Sequence, residues 1–244
     1  MLIVPQQSGA LIWDQGRPPR KRALPKKRPV RFVQFLGNGE RFAAMLSNPS
    51  SILQGRIDSN KKGTLLPLPF EVNRGVFSRD GHLLAFRKKK NAVAVWDVEL
   101  KEQRHLLRHD ASVFSLAISP NGRFVATGAS DNVVRLFNMV NGEIVARVKG
   151  HGKGKIFLTS AVYSLAFAPN GKYMASGGHD GRVIVWDIDS AKVIFRSKIA
   201  SDPIVWSVAF SPDSQLVAGG SEAAGAKQSL CVWELPPPAE PRQE

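Results

Sequence analysis

The sequence predicts an all-β protein built from a repeated antiparallel unit, and three observations lead there. The stretches "VFSLAISPNGRFVATGASDNVVRLFNM" from Val113, "VYSLAFAPNGKYMASGGHDGRVIVWDI" from Val162 and "VWSVAFSPDSQLVAGGS" from Val205 align on one another. Fainter copies begin at Val72 and Val30, so starts at 30, 72, 113, 162 and 205 are spaced by 42, 41, 49 and 43 residues, a period that marks repeat architectures. Within each copy, Val, Ile and Phe alternate with polar residues over short runs, the two-residue period of a strand. Between the runs stand Asn-Gly, Asp-Gly or Pro-Asn-Gly, residues that tolerate the positive φ of tight hairpin turns.

From the N-terminus, "MLIVPQQSGALIWD" matches the second half of the unit, which predicts an incomplete unit near residue 1. Residues 17–29, "RPPRKRALPKKRP", read as a basic, proline-containing segment between units, and the cluster at 17–31 as a candidate nuclear localisation signal. In the units that follow, Asp80-Gly81, Asn121-Gly122 and Asn170-Gly171 turn the first strand into the second, and Asp180-Gly181 turns the second into the third. "GEIVARVKG" and "AKVIFRSK" supply fourth strands to the units at 113 and 162. The last unit reaches "LCVWEL" and runs into "PPPAEPRQE", where proline forbids a paired fourth strand; residues 236–244 read as a disordered tail.

Four antiparallel strands in about 40–45 residues, ending in Trp-Asp, resemble the WD-repeat β-propeller family. The matching residues are Ile12-Trp13-Asp14, Val95-Trp96-Asp97 and Val185-Trp186-Asp187, while Leu136-Phe137-Asn138 and Val232-Trp233-Glu234 depart from the pattern. The resemblance covers residues 1–235 and implies about six blade units, the first incomplete. It also implies a buried structural network: His151, Ser176, Asp180 and Trp186 fill its positions in one blade, and His109, Thr127 and Asp131 fill those of the blade before. There Phe137 stands for the tryptophan and removes its N–H donor. Because the first unit lacks its first strand and the last lacks its fourth, the expectation is an open ring whose exposed edge a partner protein's strand fills. A small, irregularly closed propeller is the alternative.

Composition narrows the function. The 244 residues carry 34 Lys and Arg against 20 Asp and Glu, a formal net charge of +14, which favours an anionic partner: nucleic acid, an acidic protein surface or a lipid headgroup layer. The single cysteine, Cys231, excludes an internal disulfide and fits a reducing compartment, nucleus or cytoplasm. "MLIVP" is far shorter than a signal-peptide core, and no run approaches 18 apolar residues, so neither secretion nor a membrane span is expected.

Motifs that carry chemistry resolve in favour of structure. The glycine-lysine cluster at 150–155 suggests a phosphate-cradling loop, but only three residues separate Gly150 from Gly154-Lys155 and Ile156 stands where a magnesium-binding hydroxyl belongs. His151, Ser176 and Asp180 are the residue types of a hydrolase triad, yet they coincide with the family's packing network. His105 and His109 have metal-ligand spacing for a helix, but on a strand they lie roughly 13 Å apart. Trp13, Trp96, Trp186 and Trp233 recur at one core position; Trp206 is less constrained. No catalytic residue, metal, cofactor or small-molecule substrate is expected.

The basic residues fall into three clusters: Arg20, Lys21, Arg22, Lys26, Lys27 and Arg28 in the first linker, Arg87, Lys88, Lys89 and Lys90 in a second-to-third-strand turn, and Lys149, Lys153 and Lys155 in an inter-unit loop. On a propeller plan these connections open on one face, with Arg104 and Arg108 approaching the same side. The function expected is a non-catalytic protein–protein interaction scaffold, a subunit of a multiprotein assembly that meets an acidic partner through a basic face. The alternative is an RNA- or rRNA-binding subunit of a ribonucleoprotein.

Overall fold

A computed structural model of the chain describes residues 2–6, 9–13, 20–23, 29–37, 39–56, 63–152, 161–199, 204–222 and 229–236, with backbone alone for the strands before residue 24 and for residue 222. The chain divides into two compact units, Met1–Arg108 and His109–Glu244.

The first unit holds three antiparallel sheets. A three-stranded sheet is formed by β1 (Leu2–Gln6), β2 (Gly9–Trp13) and β3 (Arg20–Ala23). Two four-stranded sheets follow in simple meander order: β4 (Val30–Leu36), β5 (Arg41–Leu46), β6 (Ser51–Arg56) and β7 (Thr64–Pro67), then β8 (Gly75–Phe77), β9 (Leu83–Lys89), β10 (Ala92–Asp97) and β11 (Glu102–Arg108). Their shared core includes Leu36, Met45, Ile52, Phe77, Leu84 and Phe86.

The second unit repeats the plan. One sheet comprises β12 (Val113–Ile118), β13 (Phe124–Ala129), β14 (Val133–Asn138) and β15 (Ile144–Lys149). The next comprises β16 (Val162–Phe167), β17 (Tyr173–Gly178), β18 (Arg182–Asp187) and β19 (Val193–Lys198), and the last has three strands, β20 (Ile204–Phe210), β21 (Leu216–Glu222) and β22 (Ser229–Glu234). Apolar clusters lie between successive sheets: Val134, Leu136, Val162, Leu165, Ile184 and Trp186 in one, Val183, Val185, Val205, Val208 and Val217 in the other.

The turns are built by short side chains. Ser119 Oγ donates to Asn121 Oδ1 at 2.7 Å and accepts from Phe124 N at 2.9 Å, while Arg123 N donates to Asn121. Ser78 with Asp80 and Ser211 with Asp213 repeat this arrangement. Gly122 follows with φ of 70°, in the left-handed region that glycine occupies without strain.

Two expectations need correction. The structure has five blades with a first strand of their own, β4, β8, β12, β16 and β20, rather than about six. The N-terminal segment adds a three-stranded sheet, β1 to β3. The segment at 17–29 is also not a linker throughout: Arg20–Ala23 form β3, pairing antiparallel with β2 from Ile12↔Arg20 to Gly9↔Ala23.

Close approach between blades of the second unit depends on a missing side chain. A Cβ on Gly128 of β13 would stand 2.7 Å from Val162 Cβ and collide with the Ser115 hydroxyl, which donates to Val162 O at 2.8 Å. Val162 is β-branched and rigid, so it cannot yield. Gly128→Ala is expected to destabilise the protein by about 1–3 kcal/mol through overpacking, read as a lowered midpoint in thermal unfolding monitored by circular dichroism.

Candidate interaction surface

Inside the blade of β16 to β19, four side chains close a hydrogen-bonded chain. Trp186 Nε1 donates to Ser176 Oγ at 2.8 Å, and Ser176 Oγ lies 2.8 Å from His151 Nε2. His151 Nδ1 lies 2.9 Å from Asp180 Oδ1. A neutral histidine protonated on Nδ1 satisfies every member: tryptophan donates to serine, serine to histidine and histidine to aspartate. The second carboxylate oxygen accepts from Gly152 N at 2.8 Å, so the network ties the loop before β16 to the β17–β18 turn.

Burial pushes the Asp180 carboxyl up, but the hydrogen bond from His151 and those from the backbone N–H groups of Gly152 and Arg182 outweigh it and hold the group below the usual carboxylate range. The contacts resemble a triad's in distance, yet Ser176 is completely buried and its oxygen already accepts the indole N–H. No substrate carbon can reach it.

The preceding blade solves the same problem differently. His109 Nε2 lies 2.8 Å from Thr127 Oγ1, and its ring packs 5.3 Å from that of Phe137. Asp131 does not join them as the sequence suggested; it takes the guanidinium of Arg135 through both oxygens. Burial raises the Asp131 carboxyl, and Arg135 and the Val133 N–H more than compensate, lowering it. Arg135 occupies the repeat position held by Ile184 in the next blade. The two substitutions accompany each other: the blade without the indole donor carries the buried arginine.

Among the described side chains, the basic residues gather most densely on the blade of β8 to β11. Arg87, Lys88 and Lys89 end β9, Lys90 begins the turn, and Lys89 pairs with Ala92, which in turn pairs with Arg108 of β11. Arg87 N donates to Arg74 O at 3.2 Å, which brings Arg74 to the same end. Asp80, Asp97, Glu99 and Glu102 lie at or beyond the opposite strand ends. Lys88 is turned back along the sheet, its Nζ donating to Gln103 at 2.8 Å.

Arg104 does not approach this side, contrary to expectation. A register shift next to Trp96 turns it to Asp97, 2.8 Å away at the far end. Arg74 was missed in the sequence because it stands alone there, and only the antiparallel return of β9 gives it company.

Lys149 is exposed at the end of β15, beside the β13–β14 turn of its own blade. Lys26, Lys27, Arg28, Lys153 and Lys155 lie outside the described residues, as do the side chains of Arg20, Lys21 and Arg22 and the tail from 237. No group of three or more His, Cys, Asp or Glu that could hold a metal ion occurs among the described residues. No helix there is long and apolar enough to cross a membrane.

Repeated meander sheets, tied by buried polar networks and presenting charge at their ends, define a repeat protein of the all-β propeller class. The family model for the WD domain, G-beta repeat, matches residues 100–138, 142–187 and 194–234, just over half of the chain. The chain belongs to the WD40 repeat family.

Among curated proteins it is similar to eukaryotic translation initiation factor 3 subunit I from Aspergillus niger, 33% identical over 75 residues, which is 30% of this chain and 22% of that protein. The same subunit from Neosartorya fischeri is 36% identical over the same shares. The ribosome biogenesis protein BOP1 homolog of Leishmania infantum is 42% identical over 43 residues, 18% of this chain and 5% of that protein. The matches to the initiation-factor subunits thus span about a fifth of those relatives. A chain in the crystal structure of the Mitotic Checkpoint Complex superposes with a TM-score of 0.69 over 93% of this chain and 69% of its own, at 19% identity, a likeness in fold.

The Asp180 network makes stability depend on pH. Its carboxyl is lowered in the folded state, so the unfolded chain takes up the proton first on acidification and stability falls with pH. That contribution is complete above the ordinary carboxylate value of about 4 and fades below it. Asp180→Asn is expected to unfold at a lower temperature at pH 7, by the equivalent of about 1–3 kcal/mol. Its midpoint should change less than that of the wild type as pH falls toward 3, so the two curves converge.

Proposed function

We propose that this WD40 protein is a non-catalytic scaffold, a subunit of a multiprotein assembly in the cytoplasm or nucleus, and that the basic ends of its blades meet an acidic surface on a partner subunit. The observation that carries this is the concentration of Arg74, Arg87, Lys89, Lys90 and Arg108 at one end of one sheet. Like charges held together raise the local potential and draw an anionic partner. The relatives support a role within an assembly, since one is named as a subunit of a translation initiation factor and another for ribosome biogenesis.

Two finer elements belong to the same proposal. The units form an incomplete propeller, and a partner contributes a strand to it. The Leu230 and Val232 side chains of β22, 74% and 55% exposed, favour this because an added strand would shelter them. The second reading, an RNA-binding subunit of a ribonucleoprotein, draws on the same cations, with phosphate replacing carboxylate.

Affinity purification of the tagged protein from its own cells, with and without ribonuclease, tests the proposal. Partners retained after ribonuclease are expected, and raised salt should release them. The triple variant Lys88→Glu, Lys89→Glu, Lys90→Glu should lose them while its thermal midpoint stays within about 2 °C of wild type, since these are exposed positions. Undiminished capture by that variant rejects the basic end; partners that vanish with ribonuclease favour the ribonucleoprotein reading.

A further inference from the structure

We propose that the outer face of the last sheet, β20 to β22, seats a blade of a partner protein, with Gly220 and Ser207 receiving the leading strand of that blade. This rests on the reading of the units as an incomplete propeller and names what continues it, a whole sheet laid face to face on the last one.

The second unit shows twice what such a face receives. In each of its three sheets a serine of the first strand stands opposite a glycine of the second: Ser115↔Gly128, Ser164↔Gly177 and Ser207↔Gly220. A Cβ on Gly128 would stand 2.7 Å from Val162 Cβ, and one on Gly177 would stand 2.6 Å from Val205 Cγ1. Each of these glycines is therefore a notch that takes the leading valine of the next blade. Each serine holds that same strand by its backbone: Ser115 Oγ donates to Val162 O at 2.8 Å, and Ser164 Oγ accepts from Val208 N at 3.0 Å. At Gly220 the notch is open, since a Cβ there would meet no heavy atom within 4 Å. Ser207 is exposed, and its hydroxyl makes no hydrogen bond to a described residue.

The surrounding residues repeat the contrast. Gly128 pairs with Val134, Gly177 with Val183 and Gly220 with Leu230; the two valines are 1% and 0% exposed, the leucine 74%. Two residues along, the pairs Ala126↔Leu136 and Ala175↔Val185 are buried, whereas Ala218 is half-buried and its partner Val232 exposed. Residues paired directly across a sheet share a face, so Ser207, Gly220, Leu230, Ala218 and Val232 form one surface. The opposite face already has its neighbour: a Cβ on Gly219 would stand 2.5 Å from Val183 Cγ2, and the Trp233 ring packs 5.9 Å from that of Phe195.

The occupant is read from the two covered faces, where the neighbour is a sheet of the same repeat. It offers a strand with a β-branched residue against Gly220, because a stiff side chain of that kind is what the equivalent notches take from Val162 and Val205. It also offers a backbone group free to bond Ser207, which the middle of a helix lacks because its N–H and C=O groups are bonded within it. A second copy of this chain does not supply such a strand. Val72, Val113, Val162 and Val205, which lead its repeat copies, are buried in their own chain, and Val30 packs on the Phe42 and Leu46 cluster of its own blade.

Photo-cross-linking in the protein's own cells tests the seat. p-Benzoylphenylalanine replaces Glu234, which lies on the same face but away from the notch, and peptides cross-linked to the tagged full chain are identified by mass spectrometry. The expected peptide belongs to another protein and to a strand of an antiparallel repeat sheet. Gly220→Val should cut its yield about tenfold, because the notch is then filled, yet leave the thermal midpoint of the chain within about 2 °C of wild type. A peptide of this chain itself, a peptide from a helix, no cross-link, or a yield that Gly220→Val leaves unchanged overturns the proposal. So does unfolding caused by Gly220→Val, which would mean that the face is already covered within the chain. The scaffold reading is judged by ribonuclease-resistant capture and the lysine-turn variant. Capture that persists without a cross-link at position 234 therefore sinks the blade seat and leaves the scaffold standing.

Discussion

A blade of this protein is apolar on both faces, and that constraint governs the rest of the structure. Every residue of β17 is buried, and β13 is buried from its second residue onward, although side chains along a strand point alternately to opposite sides. A sheet of this kind cannot stand in water alone and needs a neighbour on each side, which is why the same sequence unit recurs. Within each unit the neighbours are stitched as well as packed. Gln34 exchanges two hydrogen bonds with the backbone of Phe77, Ser115 donates to Val162 O, and Ser164 accepts from Val208 N. All four bonds join the first strand of one blade to the first strand of the next.

Burial on both faces also dictates where chemistry can reside. A polar group enclosed between blades must be satisfied there, and the two networks show two ways of doing so. One uses Trp186, Ser176, His151 and Asp180 in sequence; the other divides into His109 with Thr127 and Asp131 with Arg135. In both, the buried acid, base and hydroxyl are saturated by each other and fasten a turn to a strand. At the strand ends and bulges side chains escape that packing, and the lysine turn is of that origin.

Features set by local chemistry were legible in the sequence. The Ser-Pro-Asn-Gly and Ser-Pro-Asp-Ser turns announced themselves because their serine, aspartate and asparagine side chains build the turn unaided, and the repeated Trp-Asp fixed the register of the third strands. What escaped was decided by pairing between distant segments. Nothing within 17–29 reveals that Arg20–Ala23 would pair with β2, and Arg74 gains significance only through β9. The choice of Asp131 for Arg135 depends on a guanidinium four residues along the chain that the family pattern does not contain. Phe114, Tyr163 and Trp206 stood in plain alignment as the second residues of their repeat copies, but strict alternation would have placed them in the ladder of the first and second strands. Only the register shift takes them out of it.

The last sheet shows what cover does for a blade. β14 and β18, each covered by a fourth strand, are buried along most of their length. β22 holds the same place in its sheet and alternates half-buried with exposed residues. Its sequence, "SLCVWE", is as apolar as "VVRLFN", so the difference lies in the missing cover and not in the side chains. Exposed apolar residues on an unpaired edge are a liability that charges, proline or a covering element usually remove. Here Glu234 and Pro236 stand only at the far end of the strand, and Leu230 and Val232 are left unguarded among the described residues. Alternate side chains of a strand point to opposite faces, so this pattern means that one face of the last sheet lacks a packed neighbour among the described residues.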